Sequence, residues 1–261
     1  MPIDSAFVVA LHVEYLKKRD LVEHEERAHH TLFQTSTIDV LLDGSYDGDV
    51  SFAELAERGD FGLGTLNALD GEMIALDGSF YQVRADGGAY PVEENAMTPF
   101  AVVTFFEPDT SRTLASPINF GALCGYLDGV IGGESGCCAI RVDGRFERVK
   151  TRSVPRQRKP YPPLVEVVQD QPTFELRDVW GSLIGFRFPR YAQGINVAGY
   201  HFHFITHDRS AGGHVLDCRM VRGELRIDHE ADLRLELPPD VGLPTPDPSA
   251  NREDLDRVER G

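Results

Sequence analysis

The hydrophobic positions of this chain fall in short runs divided by polar turns, and the spacing within each run predicts its element. The first ~20 residues read as an extension or edge element. The run TIDVLL, Thr37 to Leu42, suits either a buried strand or a short helix. In SFAELAER, Ser51 and Glu54 have the spacing of a capping box, which predicts a short helix ended by Gly59. From Phe61 to Glu107 the runs GLGTLNAL, EMIALDG, SFYQVRA and PFAVVTFF are broken by Asp-Gly and Gly-Gly and read as strands. Ser116-Pro117 predicts a helix start, continued at helical spacing by NFGALCGYLDGVIGG. CCAIRVDGRFERVKTRSV reads as a hairpin turning at Asp143-Gly144.

KPYPP, residues 159–163, marks a boundary, and LVEVVQDQP a short helix. Six strands are predicted after it: TFELRDV, GSLIGFRFP, GYHFHFIT, GHVLDCRMV, GELRIDH and ADLRLELP. LPTPDPSA reads as a linker and REDLDRVER as a polar terminal helix. The expected fold class is mixed α+β, with strand-rich halves at 1–158 and 159–261.

Composition narrows the picture. The 261 residues, 41% of them hydrophobic, suffice for one large domain or two small ones. No apolar run approaches the ~20 residues of a membrane helix. Ala6 to Leu11, preceded by Asp4 and no basic residue, is a poor signal peptide, so the expected location is the cytoplasm. The net charge of −16 repels phosphate backbones and argues against nucleic-acid binding. Arg141 to Lys159 is nevertheless basic, which suits either arginines paired with surface carboxylates or a small bound anion. Cys124, Cys137, Cys138 and Cys218 match no metal or redox spacing and read as small hydrophobes.

Of nine histidines, those in GYHFHFITHDRSAGGHVLDC stand out. On a strand His201 and His203 share a face, while Tyr200, Phe202 and Phe204 point to the other, into a core. THDRSAGG predicts a turn, after which His214 opens an antiparallel strand within reach of the pair. Three neutral imidazoles with an open fourth position describe a catalytic zinc site. H-x-H alone also occurs on exposed edge strands; the third histidine and the apolar opposite face favour the metal. His207 falls in the turn, and His29 and His30 on a polar, surface-type stretch. Glu72, in LDGEMIALDG, fits an inward acid needing a partner or a turn acid after Gly71, and the pattern alone favours the turn acid. Glu259 by itself reads as a solvated charge.

These segments together resemble the α-acetolactate decarboxylase family. FQTSTIDVLLDG, GDFGLGTLNALDGEMIALDG, TRSVPRQRKPYPPL and the histidine segment carry the resemblance, which spans roughly residues 30–261. It implies two α/β subdomains with the metal between them, and zinc held by His201, His203 and His214. It further implies catalytic roles for Glu72, Arg152, Thr65 and a C-terminal glutamate. Glu259 is the best match for the last, and Glu253 lies in the same tail. A homodimer is implied as well.

The chemistry is consistent with that set. Acetolactate is a β-keto acid, so the electrons left by departing carbon dioxide delocalise into its own ketone as an enediolate. A metal ion placed where that charge develops makes an organic cofactor unnecessary. Arg152 is expected to hold the anionic substrate through its planar fork, Glu72 or Glu259 to supply the proton, and Thr65 to hydrogen-bond the substrate. A cupin-like oxygenase is the main rival, but it normally carries a Glu shortly after the second histidine, where this chain has Thr206, His207 and Asp208. A β-keto acid hydrolase would use the same residues and differ in its products. A non-enzymatic binding protein predicts no metal.

Overall fold

The computed structural model describes residues 30–133 and 136–237, together with Leu255 and Val258. In chain order its strands are β1 (Thr31–Thr35), β2 (Val50–Ser51), β3 (Phe61–Thr65), β4 (Glu72–Leu76) and β5 (Ser79–Val83). Then come β6 (Ala89–Pro91), β7 (Met97–Thr98), β8 (Ala101–Thr104), β9 (Thr110–Leu114) and β10 (Ile118–Asn119). The last are β11 (Cys137–Arg152), β12 (Thr173–Phe188), β13 (Gly199–Thr206), β14 (Gly212–Glu230) and β15 (Asp232–Glu236). The α-helices are short: α1 (Ile38–Leu42), α2 (Phe52–Ala56), α3 (Phe120–Ile131) and α4 (Leu164–Val167). The fold is therefore strand-rich α+β.

Two sheets dominate. The first has the order β15-β1-β8-β3-β4-β5-β6, antiparallel except for the parallel β1–β15 pair. The second runs β10-β14-β11-β12-β13, and β13 pairs again with the start of β14, so this sheet curls back on itself. β9, β10 and β11 precede residue 158 yet belong to the second sheet, while β15 returns to the first.

Alternation along the strands sorts the core. Leu63, Ile74 and Val102 of the first sheet meet Ile184, Phe186 and Ile205 of the second in the seam between the sheets. Phe202 and Phe204 face the other way, into a core that the second sheet shares with Leu123 and Leu127 of α3. Adjacent Cys137 and Cys138 divide between these two cores, as opposite faces of one strand require. One end of the seam is closed by Ile38 and Leu41 of α1, Leu164 of α4, Leu255 and Val258.

The capping box at Ser51 and Glu54 is present at the start of α2. TIDVLL is helical, its first turn capped where Val40 N–H donates to the Thr37 hydroxyl. Three sequence expectations fail. CCAIRVDGRFERVKTR is one 16-residue strand, not a hairpin. Gly144 is there for close approach, because a Cβ would lie 2.4 Å from the Arg222 carbonyl oxygen, and its partners across both neighbouring strands are Gly181 and Gly223. The pairs TFELRDV/GSLIGFRFP and GHVLDCRMV/GELRIDH are likewise single strands, β12 and β14, because their internal glycines sit in the ladder and do not turn it. The helix expected at Ser116-Pro117 begins at Phe120, where Asn119 accepts a hydrogen bond from the Ala122 N–H and supplies the cap. The linker LPTPDPSA lies outside the described residues, as does most of REDLDRVER.

Where β14 ends, Glu230 is buried, and burial followed by the neighbouring Asp228 raises its carboxyl to about 8. A raised carboxyl pKa favours the fold while protonated. Its contribution is fully present below the ordinary carboxylate range and is lost as pH rises towards 8. Glu230→Gln removes the titration. Its melting temperature is expected to gain steadily on the wild type between about pH 5 and pH 8. Parallel melting curves across that range would contradict the assignment.

Candidate active site

The seam between the sheets turns polar at one end, and strand periodicity decides which residues stand there. Phe61 and Leu63 pack in the seam, and Thr65 is the next residue on that face of β3. Ile74 and Leu76 do the same on β4, with Glu72 next in line. On β13, Ile205 is followed on its face by His203 and His201. Across the ladders Thr65 lies opposite Glu72, His203 opposite His214, and His214 opposite Arg152. These six residues line one small cavity of about 40 Å³, together with Leu69 and Val258. A cleft of about 800 Å³, lined by Phe120, Arg190, Tyr200 and Phe202, borders His201 and His214 as well.

The turn before β4 aims Glu72 inward. Gly71 has φ +82°, and a Cβ there would lie 2.2 Å from the Val83 carbonyl oxygen. The Thr65 hydroxyl donates to the Gly71 carbonyl at 2.7 Å, so towards the cavity it can only accept. Ala68 and Leu69 just before this turn hold left-handed φ values of 62° and 52°. Glu72 itself is 8% exposed: a buried strand residue, not a turn acid.

The histidine rings are oriented by their neighbours. His203 Nδ1 lies 2.8 Å from the Met73 carbonyl oxygen, which can only accept. That contact places the proton on Nδ1 and leaves Nε2 with a lone pair. Nε2 is buried, has no hydrogen-bond partner among the described residues and lies 3.5 Å from Glu72 Oε2. His201 Nε2 and His214 Nδ1 are 3.1 Å apart. One ligand nitrogen from each of the three rings lies within 4.8 Å of the others. Burial and then Arg152 lower the His201 pKa to about 3, and burial above all takes His203 well below its ordinary value. These imidazoles are therefore neutral at physiological pH, the form that binds metal. A buried three-nitrogen set with an orphaned lone pair fits a metal ion, and this group can hold one.

Arg152 is the buried cation of the basic segment. Arg141, Arg145, Arg148, Arg156 and Lys159 each pair with a surface carboxylate. Arg152 is 4% exposed and pairs with no carboxylate among the described residues. Its Nη1 donates to Gln171 Oε1 at 2.6 Å, and its buried Nε has no hydrogen-bond partner among the described residues. Neither the Met73 carbonyl nor Gln171 carried a signal in the sequence: the first acts through its backbone, and the second is an ordinary polar residue near the end of LVEVVQDQP.

The remaining candidates stand apart. His207 is exposed in the turn after β13. His30 is half-buried and lies 2.7 Å from buried Asp228, so it is not the plain surface residue expected. His29, Glu253 and Glu259 lie outside the described residues, although Val258, next to Glu259, lines the cavity. No helix among the described residues is long and apolar enough to cross a membrane.

The alpha-acetolactate decarboxylase family profile matches residues 32–242. The chain is 49% identical over 238 residues to the alpha-acetolactate decarboxylase of Methylococcus capsulatus, covering 91% of each protein. It is 48% identical over 230 residues to that of Methanosarcina mazei, covering 88% of this chain and 80% of that one. The crystal structure of alpha-acetolactate decarboxylase from Bacillus subtilis strain 168 superposes with a TM-score of 0.85 at 39% identity, over 88% of this chain and all of that one. The chain therefore belongs to the alpha-acetolactate decarboxylase family and is an enzyme of that class.

Proposed function

We propose that this enzyme converts 2-acetolactate to acetoin and carbon dioxide, with a zinc ion held by His201, His203 and His214. The observation that carries the reading is the meeting of three buried imidazoles, a carboxylate and a buried guanidinium in one cavity. When bound, zinc supplies Lewis-acid positive charge near the oxygens on which negative charge develops. A cavity of about 40 Å³ has room for little more than a water molecule, so the substrate approaches from the cleft of about 800 Å³.

Arg152 binds the substrate carboxylate through its free N–H groups. The bond to that carboxyl carbon then breaks, carbon dioxide leaves, and the electron pair passes into the adjacent ketone to give an enediolate. Thr65, whose own proton is committed to Gly71, accepts a hydrogen bond from the substrate hydroxyl. Glu72 or Glu259 delivers a proton to one face of the former carboxyl-bearing carbon, which gives a chiral acetoin. The halves 1–158 and 159–261 act as a single decarboxylase unit in this reading. The family resemblance supports a cytoplasmic homodimer, which sizing of the purified protein tests.

A hydrolase would use the same residues, so product analysis is the deciding experiment. Racemic 2-acetolactate given to the purified enzyme is expected to yield acetoin and carbon dioxide in equal amounts. Acetate and lactate would overturn the reading in favour of hydrolysis.

A further inference from the structure

We propose that Gln171 is a positioning residue for Arg152, and that its neutrality preserves the enzyme's affinity for an anionic substrate. The inference rests on the reading of Arg152 as the carboxylate-binding group. A guanidinium as buried as that of Arg152 normally has a carboxylate partner, because a lone buried charge is costly. Here the group that holds it is an amide oxygen, at 2.6 Å from Nη1. The five arginines and lysines of the same segment named above do have carboxylate partners. Arg152, unlike those five, is buried, and its side chain lines the cavity.

An amide acceptor does two things at once. It fixes one N–H of the fork in direction, so the remaining N–H groups are presented in a set plane. It also adds no negative charge of its own beside the guanidinium, so that a carboxylate entering the cavity can serve as the counter-ion. A glutamate in the same place would hold the fork equally well but neutralise it, and the substrate would compete with a tethered carboxylate. Local structure supports a fixed position: Gln171 follows the turn that ends α4 and precedes Pro172, immediately before β12. Ser153, the residue after Arg152, donates its N–H to the Pro172 carbonyl, tying the two segments together.

The test uses full-length, metal-loaded enzyme and the unreactive anion 2-hydroxy-2-methylpropanoate, which has the hydroxyl and carboxylate but no ketone. Its dissociation constant is measured by calorimetry and its inhibition constant against 2-acetolactate by kinetics. Gln171→Glu is expected to weaken binding of the anion at least tenfold at neutral pH and to raise KM by a similar factor. Metal content is expected to stay at the wild-type level. Gln171→Met, which removes the acceptor at similar size, is expected to weaken binding only a few-fold. Equal losses in the two variants would mean that packing alone matters, and would overturn the proposal. Wild-type affinity in Gln171→Glu would overturn it too. If Gln171→Glu does not fold, Gln171→Met carries the test, and unchanged anion affinity there overturns the proposal. Wild-type enzyme that fails to make acetoin would instead sink the functional reading beneath it.

Discussion

His203→Ala is expected to lose metal and activity together, with turnover falling by three orders of magnitude or more. The side chain is 1% exposed, and its Nδ1 is engaged by the Met73 carbonyl at 2.8 Å. Only Nε2 remains, a nitrogen with no hydrogen-bond partner among the described residues. Removing it leaves two imidazoles, which are too few for a structural or catalytic zinc site. Metal analysis of the purified variant beside the wild type reads the first effect, and acetoin formation the second. Because Met73 stands on β4 and His203 on β13, the ring also bridges the two sheets, so a lowered melting temperature accompanies the loss. Full metal content with no activity would place His203 outside the ligand set.

Arg152→Ala is expected to separate the two properties. It keeps the metal and loses about two to three orders of magnitude in kcat/KM, the scale on which a charged, buried binding group acts. Arg152→Lys is expected to recover only part of this, because one ammonium cannot reproduce a planar fork that binds Gln171 and a carboxylate together. His201 provides an independent readout. Part of the depression of its pKa comes from the Arg152 charge, so the neutral variant relieves that part while burial keeps the ring largely neutral. Metal affinity at neutral pH is therefore expected to change little. Retained activity in Arg152→Ala would remove the residue from the mechanism.

What could be read in the sequence followed from how local each signal was. The histidine pair was visible because period two is a property of the strand itself, and GGH reaches it through a short turn. Tyr200, Phe202 and Phe204 pack in the core on the opposite face, as that alternation required. Glu72 was ambiguous for a physical reason: a glycine before an acid suits a turn, and only the pairing of β4 with β3 and β5 makes it a buried strand residue. Asp143-Gly144 misled for the converse reason. The pair has the chemistry of a hairpin turn, but Gly144 is required by backbones in close approach from both sides. Such approach is a property of the whole sheet, and the same holds for the internal glycines of β12 and β14. The burial of Arg152 was equally invisible, since its neighbours in sequence are ordinary surface cations. Its partner Gln171 is nineteen positions away.

The central claim is that metal held by the three histidines and decarboxylation belong to one site. The most direct measurement is metal content and acetoin formation followed in one preparation through removal by a chelator and readdition of zinc. The account predicts roughly one zinc per chain, loss of metal and acetoin in step, and recovery of both on readdition. Acetoin formed at an undiminished rate by metal-free enzyme would contradict it.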